Sequence, residues 1–503
     1  MITDPALNPH DPHPATGALA TATAHEIAVD LDSGRTTSVE VTRALLARIA
    51  AVDHDGPELR SVLAVSAQAL DDAATLDAER AAGTTRGPLH GVPVLVKDNI
   101  EATGLPATAG SLALAGRTVE RDSSLVAARR SAGLVVLGST NLSEWANLRS
   151  PRSTSGWSAV GGLTGNPWVL DRSAGGSSSG SGAAIAAGLA PLAIGTETDG
   201  SITCPSSFHG VVGLKPTVGV VSTVGVVPLS ASQDSPGPMS RSVHDAALLL
   251  DALTGSSAYA AAIGSMAPAD VHLGVASAWM SGHAPTDDHF ASTVARLTDA
   301  GLALTPVDVP PPLYEVGEHE LLVLLCETRD DLDSYLAGRA GAGVRSVADV
   351  IAFNTEHASL ELAHFGQEFF EQAAVTAGRA EPGYAEARAA CLSWALDTAL
   401  DPATSAVGGP EILVSPAYPP AWKSDLALGD HTVGVSPAIS AAAMAGWPVL
   451  CVPMGLVDGL PVGLLLIGRP HSEARLLAAG HVVEGALALR DQLLPTWVGP
   501  RRG

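Results

Sequence analysis

Three stretches of the chain carry side chains that could do chemistry. In the first, Lys97 closes the apolar run that holds Val92, Val94 and Val96. An ammonium group at the end of a buried strand loses hydration, which lowers a lysine pKa toward that of a base working near neutrality. A lysine that snorkels from the strand end to solvent is the other reading. In the second stretch, Gly175-Gly176-Ser177-Ser178-Ser179-Gly180-Ser181-Gly182 runs straight into an Ala-rich helix. A loop of this kind presents backbone N–H groups to an anion, although the same composition also makes flexible linkers. It lacks the Gly-Lys-Ser/Thr ending of a nucleotide loop. Its GxSxG match at 176–180, centred on Ser178, is weak, because a hydrolase elbow needs a strand immediately before it.

The third stretch is Gly195-Thr196-Glu197-Thr198-Asp199-Gly200-Ser201-Ile202. A strand ending at Ile194 would place this turn outside a carboxyl end of the sheet, where open α/β folds gather ligands. The amides of Thr198, Asp199, Gly200 and Ser201 could then converge as an oxyanion hole requires. An ordinary strand-to-helix turn capped by Ser201 fits the same residues. His209, His431 and His471 are conceivable bases, but nothing in the sequence pairs one of them with a carboxylate. Asp98 should face away from Lys97 across the strand and support the following loop.

The elements that must position these residues follow from periodicity. Thr37 and Glu40 form a capping box for a helix that carries Val41, Leu45, Ile49 and Val52 on one face. From Gly91 onward, short β-branched runs alternate with Ala-rich helices, which predicts an α/β fold: a large mixed, mostly parallel sheet covered by helices on both faces. Asp122 is the expected cap of a helix ending near Gly133. The strand rhythm weakens between 255 and 406 and resumes after 407. The organisation expected is a mobile segment over 1–24 and one domain over 25–503. That domain divides into N-terminal helices at 25–90, a core at 91–254, an inserted helical region at 255–406 and completion of the core at 407–495. No 20–50-residue repeat is present.

Composition narrows the partners. Of 503 residues, 28 are Lys or Arg and 52 are Asp or Glu, a net charge of −24 that disfavours nucleic acid and anionic membrane surfaces. With 46% hydrophobic residues the chain has ample material for a core. Four separated cysteines form neither a disulfide framework nor a zinc spacing, so no metal and no cofactor is expected. No signal peptide or membrane span is recognisable, and the expected location is cytoplasmic.

Taken together, Val96-Lys97-Asp98-Asn99-Ile100, Thr140-Asn141-Leu142-Ser143-Glu144, the 175–182 loop, Gly200-Ser201-Ile202 and Gly213-Leu214-Lys215-Pro216-Thr217 resemble the amidase signature family in order and spacing. The resemblance covers about residues 25 to 495. The stretch 196–205, with Phe365-Gly366-Gln367-Glu368 and Pro420-Ala421-Trp422-Lys423, is most similar to the bacterial peptide amidases. That resemblance implies a Ser-Ser-Lys triad. Ser201 is the nucleophile, Ser177 the relaying hydroxyl across a cis Gly176–Ser177 peptide, and Lys97 the neutral base. It also implies an oxyanion hole at 198–201 and cleavage of a primary carboxamide, such as a peptide's C-terminal amide, to carboxylate and ammonia.

Asp199 stands where many relatives have Gly, and is expected to accept hydrogen bonds from the substrate amide. Thr203 stands where the tRNA amidotransferase branch usually has Arg. The alternatives are an amidase for aliphatic, aryl or fatty amides and a glutaminase subunit of a tRNA amidotransferase. The run from Leu321 to Cys326, with Phe365, Phe369, Phe370, Trp422 and Trp447, would line a substrate pocket or simply pack.

Overall fold

The computed structural model describes residues 19–276, 278–341, 343–404, 409–431 and 434–495. Most of the segment expected to be mobile, residues 1–18, lies outside these. Thr23, the next capping residue, accepts from the Glu26 amide and opens the helix Ala24–Asp32, with Ala24 fully buried. The Thr37–Glu40 capping box opens the helix Ser38–Arg48 as its sequence requires.

Eleven strands form one sheet. In chain order they are β1 (Val62–Val65), β2 (Pro93–Lys97), β3 (Val135–Thr140), β4 (Leu192–Glu197), β5 (Val212–Lys215) and β6 (Ser235–Ser240). The remainder are β7 (His272–Ala276), β8 (Ala303–Val307), β9 (Ile412–Pro416), β10 (Val449–Val457) and β11 (Leu460–Ile467). Their spatial order is β1-β3-β2-β4-β6-β5-β10-β11-β9-β7-β8. The sheet is mixed. Parallel pairing joins β3-β2-β4 on one side and β9-β7-β8 on the other, and antiparallel pairing fills the middle.

Strand alternation shows why both faces are buried. Leu450, Val452, Leu464 and Leu466 enter one apolar cluster, while Val449, Cys451, Leu465 and Ile467 enter another. Successive side chains point to opposite faces, so each face carries its own core. The first cluster includes Val94, Val96, Ile194 and the helix residues Ala184 and Leu249. The second gathers Phe208, Trp279, Ala417 and Trp447.

Several local expectations change. Ser123, rather than Asp122, caps the helix Ser124–Ser131; Asp122 accepts from the Thr103 amide at 2.8 Å and from Arg130 Nε at 2.8 Å. Strand β4 runs on to Glu197, three residues beyond Ile194. The region 255–406 is not wholly helical: β7 and β8 extend the sheet before the long helix Tyr314–Gly338 begins. Within the region expected to be helical, the chain between 358 and 375 forms two separate short helices, Ala358–Glu361 and Glu368–Val375. Among the described residues, no helix is long and apolar enough to cross a membrane.

Candidate active site

The parallel trio β3-β2-β4 brings three strand ends side by side. Lys97 is in register with Thr140 across β2 and β3, and Val96 with Ile194 across β2 and β4. The next residues on these strands are therefore aimed into one space at the carboxyl edge.

The Gly/Ser stretch is packed there, not strung out as a linker. A Cβ at Gly180 would overlap the Ser61 carbonyl, and one at Gly176 would overlap the Ser143 hydroxyl. The Gly176–Ser177 peptide is cis. The Gly180 amide donates to Asn141 O at 3.0 Å, and the Ser143 amide to Ser177 O at 3.1 Å, so the loop is tied to the residues that follow β3.

Lys97 Nζ lies 2.7 Å from Ser177 Oγ, 2.9 Å from Thr196 Oγ1 and 3.2 Å from Thr196 O. A neutral amine has two N–H donors and one lone pair. Three oxygen neighbours match that inventory: two acceptors on Thr196, and a Ser177 hydroxyl that can donate to the lone pair. Burial lowers the Lys97 pKa to about 7, against the opposing attraction of Asp234 and Glu197.

Ser201 sits on the turn after β4 and is tied to the Ser177 loop by the Ser178 amide, which donates to Ser201 O at 3.0 Å. Its exposure is 7%, against 0% for Lys97 and Ser177, so Ser201 is the least buried of the three. Glu197 Oε2 accepts from the Ile202 and Thr203 amides at 2.6 and 2.8 Å. The preceding amides, Thr198 to Ser201, have no acceptor among the described residues. Gly200 takes a left-handed φ of 82°, and a side chain there would overlap the Tyr418 hydroxyl.

The structure also sorts the weaker candidates. Ser178 donates to Thr196 O at 3.1 Å and accepts from Thr196 N at 3.2 Å, which makes it a brace for β4. His209 is buried with Nδ1 2.7 Å from Pro205 O, and burial lowers its pKa to about 4. His431 pairs with Asp425 at the surface. Asp98 accepts from the Ala107 and Thr108 amides and supports its loop. Phe365 packs edge-on to Trp157 and Phe370 to Trp145, both as buried core, while Trp422 packs edge-on to Phe208 and is only partly buried. Cys326 and Trp447 are buried as well.

Some neighbours of the site, Thr196, Asn99, Asp234 and Ser440, carry no role in the sequence reading. Thr196 and Asn99 surround the lysine, Asn99 Nδ2 donating to Thr196 Oγ1 at 3.0 Å. Thr198 Oγ1 donates to Asp234 at 2.6 Å, and Ser440 Oγ to Asp199 at 2.9 Å. Strand β6, Ser-Pro-Gly-Pro-Met-Ser, brings Asp234 close, yet its prolines and lack of β-branched residues conceal it.

This edge matches a known sequence pattern: residues 40–477 fit the Amidase family. The chain belongs to that family. This amidase is 35% identical over 501 residues to a probable amidase of Arabidopsis thaliana, covering 95% of the chain and 92% of that protein. It is 33% identical over 470 residues to a glutamyl-tRNA(Gln) amidotransferase subunit from Symbiobacterium thermophilum, covering 88% of the chain and 92% of the relative. The native peptide amidase of Stenotrophomonas maltophilia superposes with a TM-score of 0.88 at 42% identity, over 94% of this amidase and 98% of that chain. A peptide amidase bound to the competitive inhibitor chymostatin gives 0.88 at 43% identity, over 93% and 98%. The amidase is accordingly a hydrolase of amide C–N bonds with the amidase signature fold.

Proposed function

We propose that this amidase removes the C-terminal carboxamide of peptides as ammonia, through Ser201, Ser177 and Lys97. The observation that carries the reading is the buried 2.7 Å contact between Lys97 Nζ and Ser177 Oγ, in a loop hydrogen-bonded to Ser201, the least buried of the three. A serine hydroxyl needs an adjacent base to become an effective nucleophile. Lys97 enters as the free amine. As Ser201 Oγ bonds to the amide carbon, its proton passes to Ser177 Oγ and the Ser177 proton passes to Lys97 Nζ.

The carbonyl oxygen takes up the electron pair and is met by the amides of the 198–201 turn. Collapse of the tetrahedral adduct breaks the C–N bond, and the proton returns along the same path so that ammonia leaves. Water then attacks the Ser201 ester, its proton passing through Ser177 to Lys97 and from there back to the Ser201 oxygen as the ester bond breaks, which restores the serine and frees the acid that ionises to the carboxylate. Asp199 accepts an N–H of the substrate amide, and Ser440 orients its carboxylate. Burial and the nearby Glu197 raise the Asp199 pKa to about 6.

The peptide-amidase neighbours favour a peptide amide over the aliphatic, aryl or fatty alternatives. The test compares ammonia release by the purified chain from a peptide amide, a simple aliphatic amide and a fatty amide, without tRNA or ATP. The peptide amide should be preferred. Preference for either other amide, or a requirement for tRNA and ATP, would replace this reading. Unchanged kcat and KM in Asp199→Asn would remove the role given to Asp199.

A further inference from the structure

The oxygens that receive Lys97 are claimed by other donors as well. Thr196 Oγ1, 2.9 Å from Lys97 Nζ, also accepts from Asn99 Nδ2 at 3.0 Å. Thr196 O, 3.2 Å from the amine, also accepts from Ser178 Oγ at 3.1 Å. Asn99 is buried and held by its main chain: its carbonyl accepts from the Val227 amide at 2.8 Å, and Ile100 bridges to Val226. Its Oδ1 is buried with no partner among the described residues, so Thr196 is the one contact that its side-chain amide makes there. No carboxylate touches Lys97 Nζ among the described residues. Burial disfavours the ammonium, while Asp234, just before β6, and Glu197, at the end of β4, favour it from farther away. The adjacent Asp98 is turned to the Ala107 and Thr108 amides.

We propose that Asn99 is a positioning residue for the base: by donating to Thr196 Oγ1 it weakens the acceptors around Lys97, so that the amine stays free to take the Ser177 proton. Ser178 does the same at Thr196 O. The inference deepens the reading above and rests on it, since Lys97 is the base there. A hydroxyl and a carbonyl oxygen each offer two lone pairs. One on each Thr196 oxygen is filled by a donor other than the lysine. Hydrogen bonds to a charged form favour that form, and oxygens already engaged in this way serve an ammonium less well than they serve a neutral amine.

The chain has three lysines, Lys97, Lys215 and Lys423, so carbon-13 labelling at lysine Cε follows each amine by NMR. The Lys97 signal is the one missing from Lys97→Met, and in the wild type it should titrate at about pH 7. Asn99→Leu removes the donor without adding charge and should raise that midpoint by at least about half a pH unit, with Ser178→Ala moving it the same way. In Asn99→Leu, kcat/KM for an N-acetylated dipeptide amide should fall about threefold or more at pH 6 and by less at pH 9. A side chain that only braced the fold would lower activity alike at every pH and leave the midpoint in place. A fixed or a falling midpoint would therefore overturn the proposal. Should Asn99→Leu lose its cooperative thermal transition, Asn99→Ala takes its place in the same titration. The amine is followed without turnover, so the two readings fail separately. A raised midpoint beside a wild-type kcat/KM that is flat in pH would overturn the base role of Lys97. A fixed midpoint beside a pH-dependent kcat/KM would overturn the role of Asn99 alone.

Discussion

Lys97 ends one strand, Ser201 lies in the turn after its neighbour β4, and the Ser177 loop is hydrogen-bonded to Asn141 and Ser143 beyond β3, so backbone pairing sets the spacing of all three. The helical region reaches the same site through side chains. Along the helix Tyr314–Gly338, Glu320, Glu327 and Asp331 share a face and grip the 230–233 loop: Glu327 accepts from Ser230 Oγ at 2.6 Å and from the Ser232 amide at 3.1 Å. Asp331 accepts from the Ala231 amide at 2.9 Å.

Farther along, Arg149 is completely buried between Glu144 and Glu361, beneath the Phe365 ring. Glu361 in turn accepts from Ser111 Oγ at 3.0 Å. The contrast teaches a division of labour. Under the proposed mechanism, strand ends would hold Lys97 and Ser201, and long-range polar clamps would hold the helical region beside them.

Four measurements would break or sharpen that division. Ser201→Ala should lower kcat/KM by at least about a thousandfold while the far-UV spectrum and thermal midpoint stay near wild type. Arg149→Met should act on the other side of the comparison. It leaves Glu144 and Glu361 buried without their cation, and should cost about 3–5 kcal/mol in urea unfolding. An Arg149→Met enzyme as stable as wild type would mean that the clamp does not hold the helical region.

Thr196→Val removes an acceptor from the Lys97 amine and should reduce kcat about tenfold, because a buried N–H is left unpaired. The pH profile supplies the fourth. Lys97 must be unprotonated to accept a proton, and its pKa is lowered to about 7. Below that value kcat/KM should rise with pH, up to about tenfold per unit, and it should level off above. A flat profile between pH 5 and 9 would deny the lysine its role.

Lys97 was readable because an apolar run ends in a charge, and desolvation follows from that alone. The 198–201 turn was readable from its glycine and its place after a strand. Thr196 was not, since nothing in its spacing reveals that both its oxygens face the lysine. Gln233 and Glu320 lie far apart in sequence, as do Ser440 and Asp199, and each pair meets only once the sheet has folded. Strands β7 and β8 were hidden by their flanking helices, and β8 sits at an edge where exposed residues blur the alternation. The antiparallel middle of the sheet depends on strand direction, which hydrophobic patterning does not encode.

The central claim is that the acyl group passes through the Ser201 oxygen. Rapid quenching of the enzyme during turnover of a peptide amide, followed by proteolysis and mass spectrometry, examines this directly. The account predicts an acyl mass increment on the fragment containing Ser201 and none on that fragment in Ser201→Ala. An increment confined to the fragment holding Ser177 and Ser178 would contradict it.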